Sequence, residues 1–235
     1  MIARVATLVA KTQLTRGRLI ALIGMGALGV FFGLAIGLGD STSQTTDTLE
    51  MTQGYGLQLV APVVALVLGS AALGDFVDDR TLVYLWLRPV PRWQISAGAA
   101  LASVGTALPL VVIPLTLAAY LGSADVTVAA GAAAASVVAT LGYAGVFLAL
   151  GFKVRRALVW GLAYILIWEG FLARSVSFCA KLSVSVYARS LLQHIADGEL
   201  PSHGSTATAA VIWPVVVAVL AVVATARWLQ TTEVA

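Results

Sequence analysis

Charge is what this sequence has least of. Only 11% of its 235 residues are Asp, Glu, Lys or Arg, where soluble domains carry roughly 25%. Hydrophobic residues make up 60%, and the mean hydropathy is +0.95. A chain of this kind has too little polar surface to be dissolved by water. It also has a single cysteine, Cys179, which excludes an intramolecular disulfide and a thiolate cluster and is expected to be a small buried or interfacial residue. The two histidines, His194 and His203, stand apart from any clustered Cys or carboxylate, so no metal site is expected and both are expected to be exposed loop residues. No Gly-Lys dipeptide occurs, and with it no G-x-x-x-x-G-K-[ST] loop to cradle ATP phosphates. H-E-x-x-H, a Ser-His-Asp arrangement and paired cysteines are missing as well, so the chain offers no cluster for hydrolysis or metal chemistry and is not expected to be an enzyme.

Long apolar runs are what it has instead. A helix needs about 20 mostly apolar residues to cross a hydrocarbon core of roughly 30 Å. Six stretches are candidates: 19–38, 57–73, 96–121, 128–152, 157–172 and 209–228. Backbone groups in lipid must be satisfied within the segment, which makes each a helix rather than a strand. Pro62, Pro109, Pro114 and Pro214 fall inside these runs and predict kinks that neighbouring helices tolerate. The expected fold is all-α, a single transmembrane domain over 1–235 with six spans. The run at 19–38 is longer than the ~7–15 apolar residues of a signal-peptide core and so is expected to stay as a span. Ahead of it, residues 1–16 place Ile2, Val5, Ala6 and Val9 on one side of a helical wheel and Arg4, Thr7 and Lys11 on the other. A basic amphipathic segment too short to span is expected to lie flat at the membrane surface, beside anionic lipid headgroups.

The basic residues set the expected orientation. With the N-terminus inside, the inner segments hold Arg4, Lys11, Arg16, Arg18, Arg80, Arg88, Arg92, Lys153, Arg155, Arg156 and Arg227, leaving Arg174, Lys181 and Arg189 outside. The net charge of +3 is therefore read as a topology signal rather than a nucleic-acid footprint. Both termini are expected in the cytoplasm of a plasma-membrane protein. The outer segment 173–208 mixes apolar and polar residues and is expected to form short extracellular helices resting on or dipping into the interface.

The inner connection 75–95 carries the most information. Asp75 suits a helix cap with Asp78 and Asp79 in the first turn, Leu82 to Leu87 supply apolar surface, and Pro89 and Pro91 stop the helix after Arg88. A cytoplasmic connector with this much apolar surface is suited to being gripped by a partner. In Asp75, Asp79, Thr81, Leu82, Leu85, Arg88, Pro89 and Arg92 the segment resembles the permease subunits of ABC type-2 transporters. It departs from that pattern at Arg80, where Gly is usual, and at Gly98-Ala99, where Gly-Lys often opens the third span. The resemblance implies an ATP-driven exporter in which this chain forms the substrate pathway. It further implies a separate ABC ATPase subunit carrying ATP and Mg, and a second permease copy or a related permease. No cofactor is expected on the chain itself. The coupling surface so implied is Asp75, Asp78, Asp79, Arg80, Thr81, Leu82, Leu85, Arg88, Pro89 and Arg92.

Two further features are candidates. Gly29, Gly33 and Gly37 recur every fourth residue on one helix face, suiting either a dimer contact or close packing within the chain. Glu169 is the one acidic residue within a span, and intramembrane carboxylates commonly line a pathway, form a gate or pair internally. The Gly-Leu-Gly-Asp run ending at Asp40 would suit an intramembrane aspartyl protease only with a second Asp at its side, and no earlier helix supplies one. An ATP-independent secondary transporter or channel is the alternative function, expected to show an internal repeat and several buried ionisable groups.

Overall fold

In the computed structural model the described residues are 2–39, 43–78, 91–172, 180, 182–196 and 206–231. Among them every regular element is a helix. In chain order these are α1 (Ile2–Gln13), α2 (Arg16–Gly37), α3 (Gln44–Met51), the π-helical stretch π1 (Thr52–Val60), α4 (Ala61–Asp78), α5 (Arg92–Ser123), α6 (Val126–Lys153), α7 (Ala157–Ala163), the π-helical stretch π2 (Tyr164–Leu172), α8 (Val184–Ala196) and α9 (Ala207–Thr231). Five helices are long and apolar enough to cross a membrane: α2, the continuous run from Gln44 through α4, α5, α6 and α9. The protein is an all-α, membrane-embedded helical bundle.

The fifth expected span departs from this pattern. Residues 157–172 are helical, but α7 and π2 together stop short of a full crossing. Tyr164 packs edge-on against Phe147 of α6, and Glu169 reaches the level of Tyr143, near the middle of α6. Then α8 takes over at that depth. Its first residue, Val184, lies against Gly142 of α6, and further along Leu192 and Ile195 lie against Gly131. Along α6, α7–π2 thus lies against one half and α8 against the other. The segment expected to rest on or dip into the outer interface packs, over Val184–Ala196, against α6 and α9, which cover its apolar side chains.

Small residues decide which helix sits at the centre. Lipid tails are as apolar as leucine, so helices in a bilayer associate through close packing rather than through expulsion of water. α6 carries Gly131, Gly142, Gly145 and Gly151, and between them they admit three neighbouring helices: α8 at Gly131, Val184 of α8 and Pro214 of α9 at Gly142, Ala218 of α9 at Gly145, and Ser70 of α4 at Gly151. Bulky apolar residues such as Ile20, Phe31, Ile113, Trp160, Ile212 and Leu220 point outward instead, as lipid-facing surface requires.

Two turns use left-handed backbone without glycine. α5 ends where Ala124 takes φ 52°, its N–H closing on Tyr120 O at 2.9 Å. Asp125 then caps α6 by accepting from the Thr127 N–H at 2.7 Å. Arg156, with φ 61°, joins α6 to α7.

The amphipathic first helix is docked on the bundle rather than held by lipid alone. Val5 lies against Gly98 of α5, and Val9 packs in one apolar cluster with Ala72, Ile95, Ala99 and Leu229. Its last residue, Gln13, is wholly buried. The apolar side identified from the helical wheel is the side that packs, against protein.

Candidate functional site

The end of the bundle where α4 stops and α5 begins is tied together by charge. Arg18, at the start of α2, donates two hydrogen bonds to Asp75 of α4, at 2.7 and 3.1 Å, a fork-to-carboxylate geometry. The side chains are 29% and 34% exposed, so the pair contributes orientation more than stability. Arg92 opens α5 and donates to the carbonyls of Leu229 and Gln230 in the last turn of α9, at 2.9 and 2.7 Å. Those carbonyls sit toward the negative end of the helix dipole, so a guanidinium suits them. Lys153, ending α6, lies 5.5 Å from the Trp228 ring. Both ends of the 75–92 connection are therefore leashed to other helices, Asp75 to α2 and Arg92 to α9. Of the remaining coupling candidates, Asp78 ends α4, while Asp79, Arg80, Thr81, Leu82, Leu85, Arg88 and Pro89 lie outside the described residues.

The glycine stripe of α2 faces α5 of the same chain. A Cβ on Gly33 would collide with the backbone of Ala118, and one on Gly37 with the Leu121 carbonyl. Gly29 meets the Tyr55 ring at 3.1 Å. α2 and α5 run parallel here, since Gly26 adjoins Pro114 and Gly37 adjoins Leu121.

Glu169 is the wholly buried acid of the bundle. Its carboxylate is held by hydroxyls from two segments. Ser183 donates to Oε2 through a short contact, Ser185 donates to the same oxygen at 2.6 Å, and the two serine oxygens are 3.0 Å apart. Tyr164 reaches Oε1 at 3.4 Å, one helical turn back along π2. The Tyr143 hydroxyl of α6 faces both Glu169 and Ser185 but completes no hydrogen bond of its own. Behind Ser185 stands Arg189, whose guanidinium donates to the Ser185 hydroxyl at 3.4 Å and to its carbonyl at 3.3 Å. Gln58 of π1 fixes the backbone by donating to the Glu169 carbonyl at 3.2 Å. Two π-helical stretches thus meet at Glu169, π1 through its backbone carbonyl and π2 by carrying it, in keeping with the concentration of π turns at functional positions.

A second buried polar cluster lies toward the Arg18 end. Gln13 donates to Leu68 O at 3.0 Å and to Ser103 Oγ at 3.1 Å, and accepts from Thr106 Oγ1 at 3.2 Å. One carboxamide joins α1, α4 and α5. The sequence singled out Glu169 but none of Gln13, Gln58, Tyr143, Tyr164, Ser183, Ser185 or Arg189. For Ser183 and Ser185 a signal was present: serines two apart opening a helix, which suits a cap. For Gln13 the signal was a carboxamide ending an amphipathic helix on its apolar side.

Among the described residues no group of three His, Cys, Asp or Glu gathers as metal ligands would. His194 is part of α8 rather than of a loop, its Nδ1 being 2.8 Å from Ser190 O. Cys179, His203 and Asp40 lie outside the described residues. No protein-family model matches the chain, and no curated protein matches its sequence.

Proposed function

We propose that this chain is the permease subunit of an ATP-driven ABC exporter of the type-2 class, paired with a second permease and driven by a separate ATPase. The observation that carries the proposal is the double leash on the 75–92 connection. Asp75 is tied to Arg18 and Arg92 to the last turn of α9, so a force on this connection moves α2, α4, α5 and α9 together. A connector that merely joined two spans would need neither tie. Energy passes from one protein to another only through an element whose contacts differ between two states, and a leashed handle is such an element. Six traverses, the fifth made of α7–π2 and α8 together and the sixth of α9, would bring both chain ends to the side of the handle. On the basic-residue count that end is cytoplasmic, in a plasma membrane, and Asp78 and Asp79 would face the ATPase.

The test is purification from native membranes in mild detergent. An ATPase subunit is expected to accompany the tagged chain, and charge reversal at Asp78 and Asp79 together is expected to release it while the chain stays folded. Retention of the partner by the reversed variant, or labelling of a cysteine at Arg88 from outside intact cells, would refute the proposal.

The second reading, an ATP-independent transporter, is favoured by Glu169, a buried ionisable side chain at the centre of the bundle. It calls for the purified chain to move solute into liposomes without nucleotide. In either reading we assign Glu169 to the gate.

A further inference from the structure

We infer that the pocket holding the Glu169 carboxylate is an anion-binding site, occupied in this state by the chain's own carboxylate and open to a small planar monoanion once Glu169 withdraws. Everything pointed at that carboxylate is a donor. Ser183 and Ser185 donate to Oε2, and Tyr164 approaches Oε1. Arg189 donates to the Ser185 oxygen, which leaves the Ser185 proton to point at the carboxylate and biases that hydroxyl toward anions. Ser183 and Ser185 flank the first residue of α8, a helix of 13 residues whose positive dipole end therefore faces the same point.

The second, independent observation is Tyr143. It is 0% exposed, it comes from a different helix, and its hydroxyl has no hydrogen-bond partner although it faces Glu169 and Ser185. Leaving a buried hydroxyl unpaired is unfavourable, so it marks a place where a further acceptor belongs. A carboxylate tethered to π2 satisfies the serines and leaves this donor unused. A free anion, not bound to a backbone, could sit where the hydroxyls of Ser183, Ser185 and Tyr143 all reach it.

The elements are divided so that exchange is feasible. Glu169 and Tyr164 ride on π2, whereas Ser183, Ser185 and Arg189 belong with α8 and Tyr143 with α6. If π2 relaxes toward ordinary α-helical winding, its side chains turn about its axis, carrying Glu169 off while the other donors stay. Occupancy by an anion and occupancy by Glu169 then exclude each other, which makes the cluster a gate with a defined ligand class. The inference deepens the assignment of Glu169 to the gate and is independent of whether an ATPase drives it.

Nitrate, planar and close to a carboxylate in shape, is the probe, with bulky isethionate at matched ionic strength as the control. In lipid nanodiscs, nitrate is expected to raise the Tm of Glu169→Ala saturably by several degrees, and the added changes Ser183→Ala and Ser185→Ala are expected to abolish that rise. In the unaltered chain, nitrate is expected to increase modification of Glu169 by an apolar carbodiimide several-fold, as the displaced carboxylate becomes accessible. This second arm decides the matter should Glu169→Ala not fold. Carbodiimide labelling indifferent to nitrate, or a Tm rise that isethionate reproduces, would overturn the inference. Loss of ATPase co-purification would leave both arms untouched, so the two proposals fail separately.

Discussion

Gly33 and Gly24 stand on the same helix and differ in what a methyl group would meet. At Gly33 a Cβ runs into the Ala118 backbone of α5, which cannot step aside as a flexible side chain can; at Gly24 it meets nothing within 4 Å. Gly33→Ala should therefore destabilise the bundle by about 1–3 kcal/mol, the range for overpacking, while Gly24→Ala should change stability by less than about 0.5 kcal/mol. Thermal unfolding of the two variants in one detergent makes the comparison, and equal Tm values would show that the stripe is not an internal contact. The turn between α5 and α6 allows the opposite manipulation. Ala124 holds φ 52°, a conformation glycine adopts without steric cost, so Ala124→Gly should raise the Tm. One residue on, the Thr127 N–H and hydroxyl hold the Asp125 carboxyl below the usual carboxylate range. Because its folded value is depressed, the cap stabilises above the unfolded value and is lost as pH falls through the folded one. Asp125→Asn should flatten the acid limb of the stability profile there.

At the scale of elements, what the sequence disclosed was governed by how local the cause was. Apolar runs of 20 or more residues are cut to fit a bilayer, so α2, α4, α5, α6 and α9 could be read directly from 19–38, 57–73, 96–121, 128–152 and 209–228. The run at 157–172 looked like the others, yet its helix is shorter than the five long enough to cross a membrane. Its apolar composition is silent on α8, which packs against α6 from further along the chain. Glu169 was legible as an acid in an apolar run, but its partners Ser183 and Ser185 lie beyond the end of π2 and are brought close only by the break. For α1 the helical wheel gave the buried side correctly, while the partner on that side depended on the small residue Gly98 of α5, whose missing side chain leaves room for Val5. Gln13 is where that docking is fixed. Gln13→Ala removes three hydrogen bonds at a wholly buried site and should cost about 1–3 kcal/mol. The effect should also be local: a cysteine at Val9, buried in the intact protein, should become reactive in the Gln13→Ala background before the bundle unfolds.

For the molecule as a whole, the two ties on the 75–92 connection separate being gripped from being coupled. In the proposal Asp78 and Asp79 meet the partner, whereas Arg92 is turned toward the last turn of α9. A handle can be held firmly and still transmit nothing if it is no longer fastened to what it must move. Arg92→Gln shortens the side chain and removes the guanidinium, freeing the Leu229 and Gln230 carbonyls while leaving the surface for a partner in place. On the proposed function, the ATPase should then co-purify as before, with its basal turnover unaltered, but transport per ATP should fall severalfold because ATPase closure would no longer carry α9 along. Reversal of Asp78 and Asp79 should do the reverse, lowering association while any ATPase that remains bound stays coupled. Should Arg92→Gln lower association and leave transport per bound ATPase unchanged, α9 would not be part of the moving body, and force would have to enter the bundle through Arg18 and α2 alone.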